Sequence, residues 1–386
     1  MMLAEACFSV SRRPLVALAF LLAASPAMAQ ESETSDVLKM DPPKKEWVFV
    51  RGGFGSEGTS IYDTKTGKMK GMVSTSENSD LALDPAGKFY YVSETIWSKG
   101  NRGTRQDMVS VYDAIDLKLQ TEITIPDRII VGERKQNFVV SDDGKLGYIY
   151  NLSPASSVNV VDLGKRKFLK TIELPGCAAL MPSATGFSAL CADGSLATVT
   201  GVATKPQITH STPFFSATDD PIFENFQIDR AKQQTVMMSY TGLIYTVKLG
   251  ATPAVAEPFS IQVAAGYANG GQTKPLDVAW YPGGWQQMAL HRPTGHLYVL
   301  MHMGEYWTHK QHGTEVWVLD VAAKKVIKRL VLDHPAGHIE VTQDKEPKLF
   351  LNDEEGTGVI LDAATGKEDH KIERAGGGVI HVTDPA

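Results

Sequence analysis

Cysteine is scarce, with 3 in 386 residues, so the chain is not a disulfide-dense scaffold. The sequence also lacks a Cys-x-x-Cys-His site for covalent haem and a cysteine cluster for iron and sulfur. There is no Gly-x-Gly-x-x-Gly opening a helix, no Walker loop and no Gly-x-Ser-x-Gly elbow. Positive charge is not in excess: 38 Lys and Arg face 44 Asp and Glu, a formal net charge of −6. That balance gives no general attraction to nucleic acid or to an anionic membrane surface. Long apolar runs are missing as well. Leu15 to Ala24 spans ten residues, where a bilayer requires roughly 20.

That short run has the anatomy of an export signal. Arg12 and Arg13 lead it, and Ala27-Met28-Ala29 supplies a small-residue cleavage site before Gln30. Residues 1–29 are therefore read as a signal peptide and the protein as periplasmic; the paired arginines resemble a twin-arginine signal, and the export route stays open. Residues 30–46, polar and proline-containing, are expected to form a flexible arm. Cys7 leaves with the leader, and Cys177 and Cys191 remain in a compartment that permits disulfides. A hairpin turning through residues 181–186 could join them and stabilise the fold by about 3 kcal/mol. Two free buried thiols are the alternative.

From Trp47 onward one theme recurs: a β-branched or aromatic run ending in Asp, then a turn. It appears at Asp63, Asp113, Asp162, Asp320 and Asp362. The spacings are 50, 49, 158 and 42 residues, the long one leaving room for two degenerate units before a third. A second theme, a turn with Gly before another strand, appears at residues 84–90, 141–145, 191–195 and 293–298. Periods of about 40 to 50 residues belong to propeller blades of four strands. Removing the leader leaves 357 residues, about 51 for each of seven blades. One sheet of this kind cannot bury both faces, whereas radial stacking buries each against two neighbours. The expectation is an all-β, seven-bladed β-propeller over residues 47–386.

Chemistry-bearing residues are few. His291, His296, His302, His309 and His312 crowd one region, but no short spacing forces three or four ligands onto one metal. They are read as loop and strand-end polar groups, with no metal site. The acidic pairs Asp142-Asp143, Asp219-Asp220 and Glu354-Glu355 fit turns. Aromatics are more informative: Trp280, Trp285 and Trp307 fall within 28 residues. Blade packing accounts for one or two of them, while interface cores are also enriched in Trp, Tyr and Met. Trp285, Gln286, Gln287 and Trp307 are therefore candidates for a partner surface, with core packing the competing use. Phe54 is a lone large apolar side chain in the glycine-rich stretch 51–58.

At Ser153-Pro154-Ala155, Val160-Val161-Asp162, Cys177 to Leu196, Asp219 to Phe223, Tyr240-Thr241-Gly242 and Pro282 to Gln287, the chain resembles the heavy subunit of the periplasmic quinoprotein amine dehydrogenases. The resemblance runs from about Trp47 to the C-terminus. It implies a complex of two heavy and two light chains in which the cofactor, tryptophan tryptophylquinone, is built from two tryptophans of the light chain. No catalytic residue is then expected here. It further implies oxidation of a small primary amine to aldehyde and ammonia, with electrons passed to a blue-copper protein of the amicyanin or azurin kind. Phe54 matches a family residue lining the substrate channel, and Cys177 and Cys191 match the family's heavy-chain disulfide. Pro282 to Gln287 is similar to the methylamine type and Asp219 to Phe223 to the aralkylamine type, so the amine stays open. A stand-alone exported propeller, either a binding module or a lactonase-like hydrolase, is the alternative reading.

Overall fold

Seven antiparallel sheets are arranged as the blades of a propeller. The computed structural model describes residues 39–53, 56–100, 102–128, 132–152, 154–353 and 355–383. The leader read at residues 1–29, most of the arm and Phe54 lie outside them. Blade 1 is closed by both ends of the chain: the late strand Ile380–Val382 forms its inner edge, paired with Trp47–Arg51 through Val48 and Val382. Such closure leaves no open seam between the first and last blades. Residues 39–46 are tied to the ring. Met40 packs on the blade 1 and 2 core and its N–H donates to Ile115 O at 2.8 Å, and Lys45 O accepts from Gln343 N at 3.0 Å.

The recurring aspartates have a common task. Each ends the third strand of a blade, and its side chain accepts backbone N–H groups two or three residues on, as from Lys65 and Thr66 at Asp63 and from Thr365 at Asp362. Four residues past each Asp the backbone is left-handed, at Gly67, Leu117, Arg166, Lys324 and Gly366. The pairing of third with fourth strand shifts register there in all five blades. An Asp-capped turn with a bulge is thus repeated at one end of the ring. Blades 4 and 5, the two degenerate units, lack it.

The second theme divides. Residues 84–88, 141–145 and 292–295 join first to second strands, but 192–195 joins the second and third strands of blade 4, Gly186–Cys191 and Leu196–Thr200. That turn lies at the opposite end because strand direction alternates, and the first-to-second connection of this blade is instead the two residues between Cys177–Ser183 and Gly186–Cys191. Cys177 and Cys191 face each other in register and form a disulfide. The core lies between blades. Its largest cluster runs through blades 4, 5 and 6 and contains the fully buried Trp317. Helix is confined to Ile261–Ala264 and a short turn at Lys135–Asn137 among the described residues. None of the described helices is long and apolar enough to cross a membrane.

Candidate functional site

Alternation of strand direction gives the ring two unlike ends. One carries the short turns just described, apart from 192–195. The other carries the longer connections: residues 52–58, 74–78, 125–137, 211–226, 305–312 and the insertion before Ala279–Pro282. This loop end holds two assemblies.

The first surrounds the mouth of the central channel. Arg51, buried at the end of its strand, donates from Nε to Glu133 Oε1 at 3.0 Å, from Nη2 to the carbonyls of Ser76 and Glu77 at 2.8 Å each, and from Nη1 to Thr75 Oγ1. Beside it Arg128 is fully enclosed. It donates to Asp80 Oδ2 at 2.5 Å, to Ser93 Oγ at 3.2 Å and to Asn78 O at 3.1 Å. Asp80 also accepts from the Arg134 N–H and Asn137 Nδ2. Three connections from different blades are thereby locked together at the base of the stretch that contains Phe54. Burial pushes the Glu133 carboxyl above its ordinary range, against the pull of Arg51. Deeper in, Lys135 pairs with Glu340, and a cavity of about 100 Å³ is lined by Lys135, Gln136, Phe138, Phe226, Arg292 and His381.

The second is an aromatic cluster formed by connections from blades 5 and 6. Tyr240 stacks on Phe223 with centroids 4.3 Å apart and meets His309 at 4.2 Å. Trp307 packs edge-on against Tyr240 at 5.1 Å and Tyr306 at 4.7 Å, yet stays 49% exposed. Its φ is +68°, rare for a bulky side chain. Lys310 Nζ lies 5.6 Å over the ring of Trp285, itself 40% exposed. Tyr306 donates to Asp219 O, fastening the 305–312 connection to the 211–226 one. Burial lowers the pKa of His309 and of the enclosed His302 beneath it. The cluster can offer flat aromatic faces to another surface.

The structure divides the four expected partner-surface residues. Trp285 and Trp307 are at the surface of the loop end. Gln286 and Gln287 are buried and serve the chain's own packing. Gln286 Nε2 donates to Ile339 O at 2.9 Å and Ile380 O at 3.0 Å, and its Oε1 accepts from Ile380 N at 2.9 Å, so one side chain links blades 6, 7 and 1. Gln287 donates to Gly284 O at 2.5 Å. Their burial accompanies a break in the inner strand of blade 6, between Ala279–Pro282 and Met288–His291, where Gln286 and Gln287 turn inward and Trp285 stays at the surface. Trp280 is the tryptophan used for packing: it meets Trp317 at 5.6 Å, and Arg329 lies over both rings at 4.7 Å. Sequence reasoning cited Tyr240 and Phe223 only among the strings that carry the resemblance and missed their stacking and the Arg51–Glu133 and Arg128–Asp80 pairs, because each contact joins positions well apart in the chain and carries no local pattern. Among the described residues, no group of three or more His, Cys, Asp or Glu side chains is placed to share a metal ion.

Comparison with known proteins agrees over nearly the whole ring. The sequence model described as methylamine dehydrogenase heavy chain matches residues 47–384. The chain is 31% identical over 356 residues to the methylamine dehydrogenase heavy chain of Methylobacillus flagellatus, covering 89% of this chain and 86% of that one. It is 29% identical over 358 residues to that of Paracoccus versutus, covering 91% and 82%. Among solved structures, a periplasmic gluconolactonase of Pseudomonas aeruginosa shares the fold at a TM-score of 0.57 and 12% identity, over 88% of this chain and 99% of that one. A dihydro-heme d1 dehydrogenase does so at 0.56 and 16%, over 89% and 76%. Identity that low carries the fold alone. The seven-bladed ring and the family match over residues 47–384 make this chain a member of the methylamine dehydrogenase heavy chain family.

Proposed function

We propose that this chain is the heavy, non-quinone-bearing subunit of a periplasmic amine dehydrogenase that oxidises methylamine or an aralkylamine. It would assemble as two heavy and two light chains and pass electrons to a blue-copper protein. The observation that carries the reading is the loop end, where exposed Trp307 stands on Tyr240 and Tyr306 and exposed Trp285 lies under Lys310, at the same end as the charged collar of the channel mouth. Exposed tryptophans with preset neighbours are the residues that anchor protein interfaces. The light chain's tryptophan tryptophylquinone would supply the two-electron oxidation of the amine. The work of this chain is positional: its aromatic cluster seats the light chain, and its collar fixes the connections that shape substrate approach. Phe54, whose stretch begins at Arg51, is proposed to line that approach.

Purification of the native complex from the periplasm tests the reading. Copurification of a small, cysteine-rich chain with quinone absorbance is expected, with amine oxidation only when both chains are present. A lone monomer without quinone absorbance, or turnover of a lactone without any partner, would overturn it.

A further inference from the structure

Blade 2 reaches beyond the ring. Its middle strands, Phe89–Lys99 and Arg102–Asp113, are the longest adjacent pair in the structure. Their outer neighbours stop early, Ser79–Leu83 at Glu94 and Leu119–Thr124 at Met108. From Ile96 to Lys99 the strand pairs only with the other half of its hairpin, through Ile96 with Gln106, Trp97 with Arg105 and Lys99 with Arg102. Four residues at about 3.3 Å each give an overhang of about 13 Å. It projects from the loop end, because every second-to-third strand connection outside the tight turns opens there, including 52–58 and 305–312.

The base of this ribbon is fixed. Asp107 accepts from Thr95 Oγ1 at 2.6 Å and from Arg105 Nη2 at 2.9 Å, and Arg105 also donates to Arg128 O at 2.7 Å. Arg105 is thus turned back toward the collar. Lys99 and Arg102 remain exposed at the tip and make no ion pair among the described residues. They stand directly opposite each other, and like charges so placed weaken a hairpin. A two-stranded ribbon is marginal by itself, and an anionic counterpart outside the chain would relieve the repulsion between the two cations at its tip.

We infer that the ribbon is a clamp for an acidic flank of the protein that docks on the loop end, the quinone-bearing light chain. The inference rests on the heavy-subunit reading above. Trp97 lies half-buried opposite Arg105 in the inner stretch, Ile96 is exposed, and Lys99 and Arg102 give the tip its charge. A light chain seated on Trp285 and Trp307 would then be held from two sides of one end.

Affinity measured at low and high salt tests this with the full chain and the isolated light chain. Lys99→Glu with Arg102→Glu is expected to raise Kd about tenfold or more at low salt, the difference shrinking as salt rises. Lys145→Glu with Lys165→Glu, on the turn end, should leave Kd unchanged. Lys99→Glu alone places opposite charges across the tip, so it should not lower the Tm of the isolated chain while still weakening the complex. Equal affinities for wild type and the double variant at low salt would overturn the clamp and leave the heavy-subunit reading standing. Failure of the wild-type chain to bind a quinone-bearing light chain at all would overturn that reading, and the clamp with it.

Discussion

The two ends of the ring are built by different rules. At the turn end, five of seven blades repeat one device: an Asp cap, a left-handed residue four positions on, and a register shift. The bonds that define this device, from the Asp carboxylate to the following N–H groups, are made within a few residues. At the loop end the decisive contacts join distant positions, as Arg51 to Glu133 and Arg128 to Asp80. The difference teaches where each end draws its stability. A local turn is worth little and is repeated, whereas a buried ion pair occurs in few copies and fails badly when one member is removed.

The largest effect is therefore expected at the loop end. Arg128→Ala leaves the Asp80 carboxylate in the interior with only the Arg134 N–H and Asn137 to meet it. The loss should be about 3–5 kcal/mol, read by urea denaturation of the isolated chain. A change below about 1 kcal/mol would mean that the collar is held by its neighbours alone, and the contrast between the ends would weaken.

Acid should next separate the buried histidines, which include His291 near the turn end, from the Asp362 turn. Burial holds the His338 imidazole down to about 3, and it lowers His302 and His309 as well. A histidine depressed in the folded state binds its proton first in the unfolded chain. Stability is then lost as pH falls below the ordinary imidazole value of about 6.5, and for His338 the loss continues toward about 3. The total is on the order of a few kcal/mol. Asp362 at the turn end behaves otherwise. Its partial burial would raise the carboxyl, but Thr365 and Lys348 hold it down to about 2. Its contribution is present above the ordinary carboxylate range and is lost only as pH falls through about 4 toward 2. Hydrogen exchange at stepped pH should show amides around the buried histidines, His338 at the loop end and His291 at the turn end, opening first as pH falls below about 6, and the Asp362 turn holding to about pH 4. The reverse order would refute the assignment.

Legibility in the sequence follows the same division. Asp63, Asp113, Asp162, Asp320 and Asp362 could be read in advance because cap and turn lie within four residues. Blade count follows from their spacing. The closing strand Ile380–Val382 could not be read, since nothing local distinguishes a strand that pairs with residue 48 from one that pairs with its neighbour. Gln286 and Gln287 show the limit most plainly. They adjoin an exposed tryptophan, yet they turn inward where the inner strand breaks. Composition identified an interface-like segment, and only the fold distinguishes the residues that face outward.

A smaller effect is expected from one turn. Asp362→Ala removes bonds to the Thr365 N–H and hydroxyl, and a salt bridge to Lys348 that retains Asp369 as a second partner. About 1 kcal/mol should be lost, with light-chain affinity unchanged. If affinity falls as well, the turn end also contacts a partner.

The smallest effect on the fold should come from the residue expected to matter most for assembly. Trp307 contributes edge contacts to Tyr240 and Tyr306, worth about 0.5–1.5 kcal/mol each at most and less for a ring half in water. Its left-handed backbone carries an opposing strain of about 1 kcal/mol that glycine does not feel. In Trp307→Gly the two terms nearly cancel, so the isolated chain should keep its stability within about 1 kcal/mol. A packing residue gives a different outcome, a clear loss of stability with affinity falling only in proportion. An interface residue leaves the fold intact and costs the complex at least about 2 kcal/mol, roughly thirtyfold in Kd for the light chain. Measuring both quantities on one variant separates the two uses of tryptophan that the sequence left open, because strain held in place at an exposed aromatic has no benefit to the chain by itself.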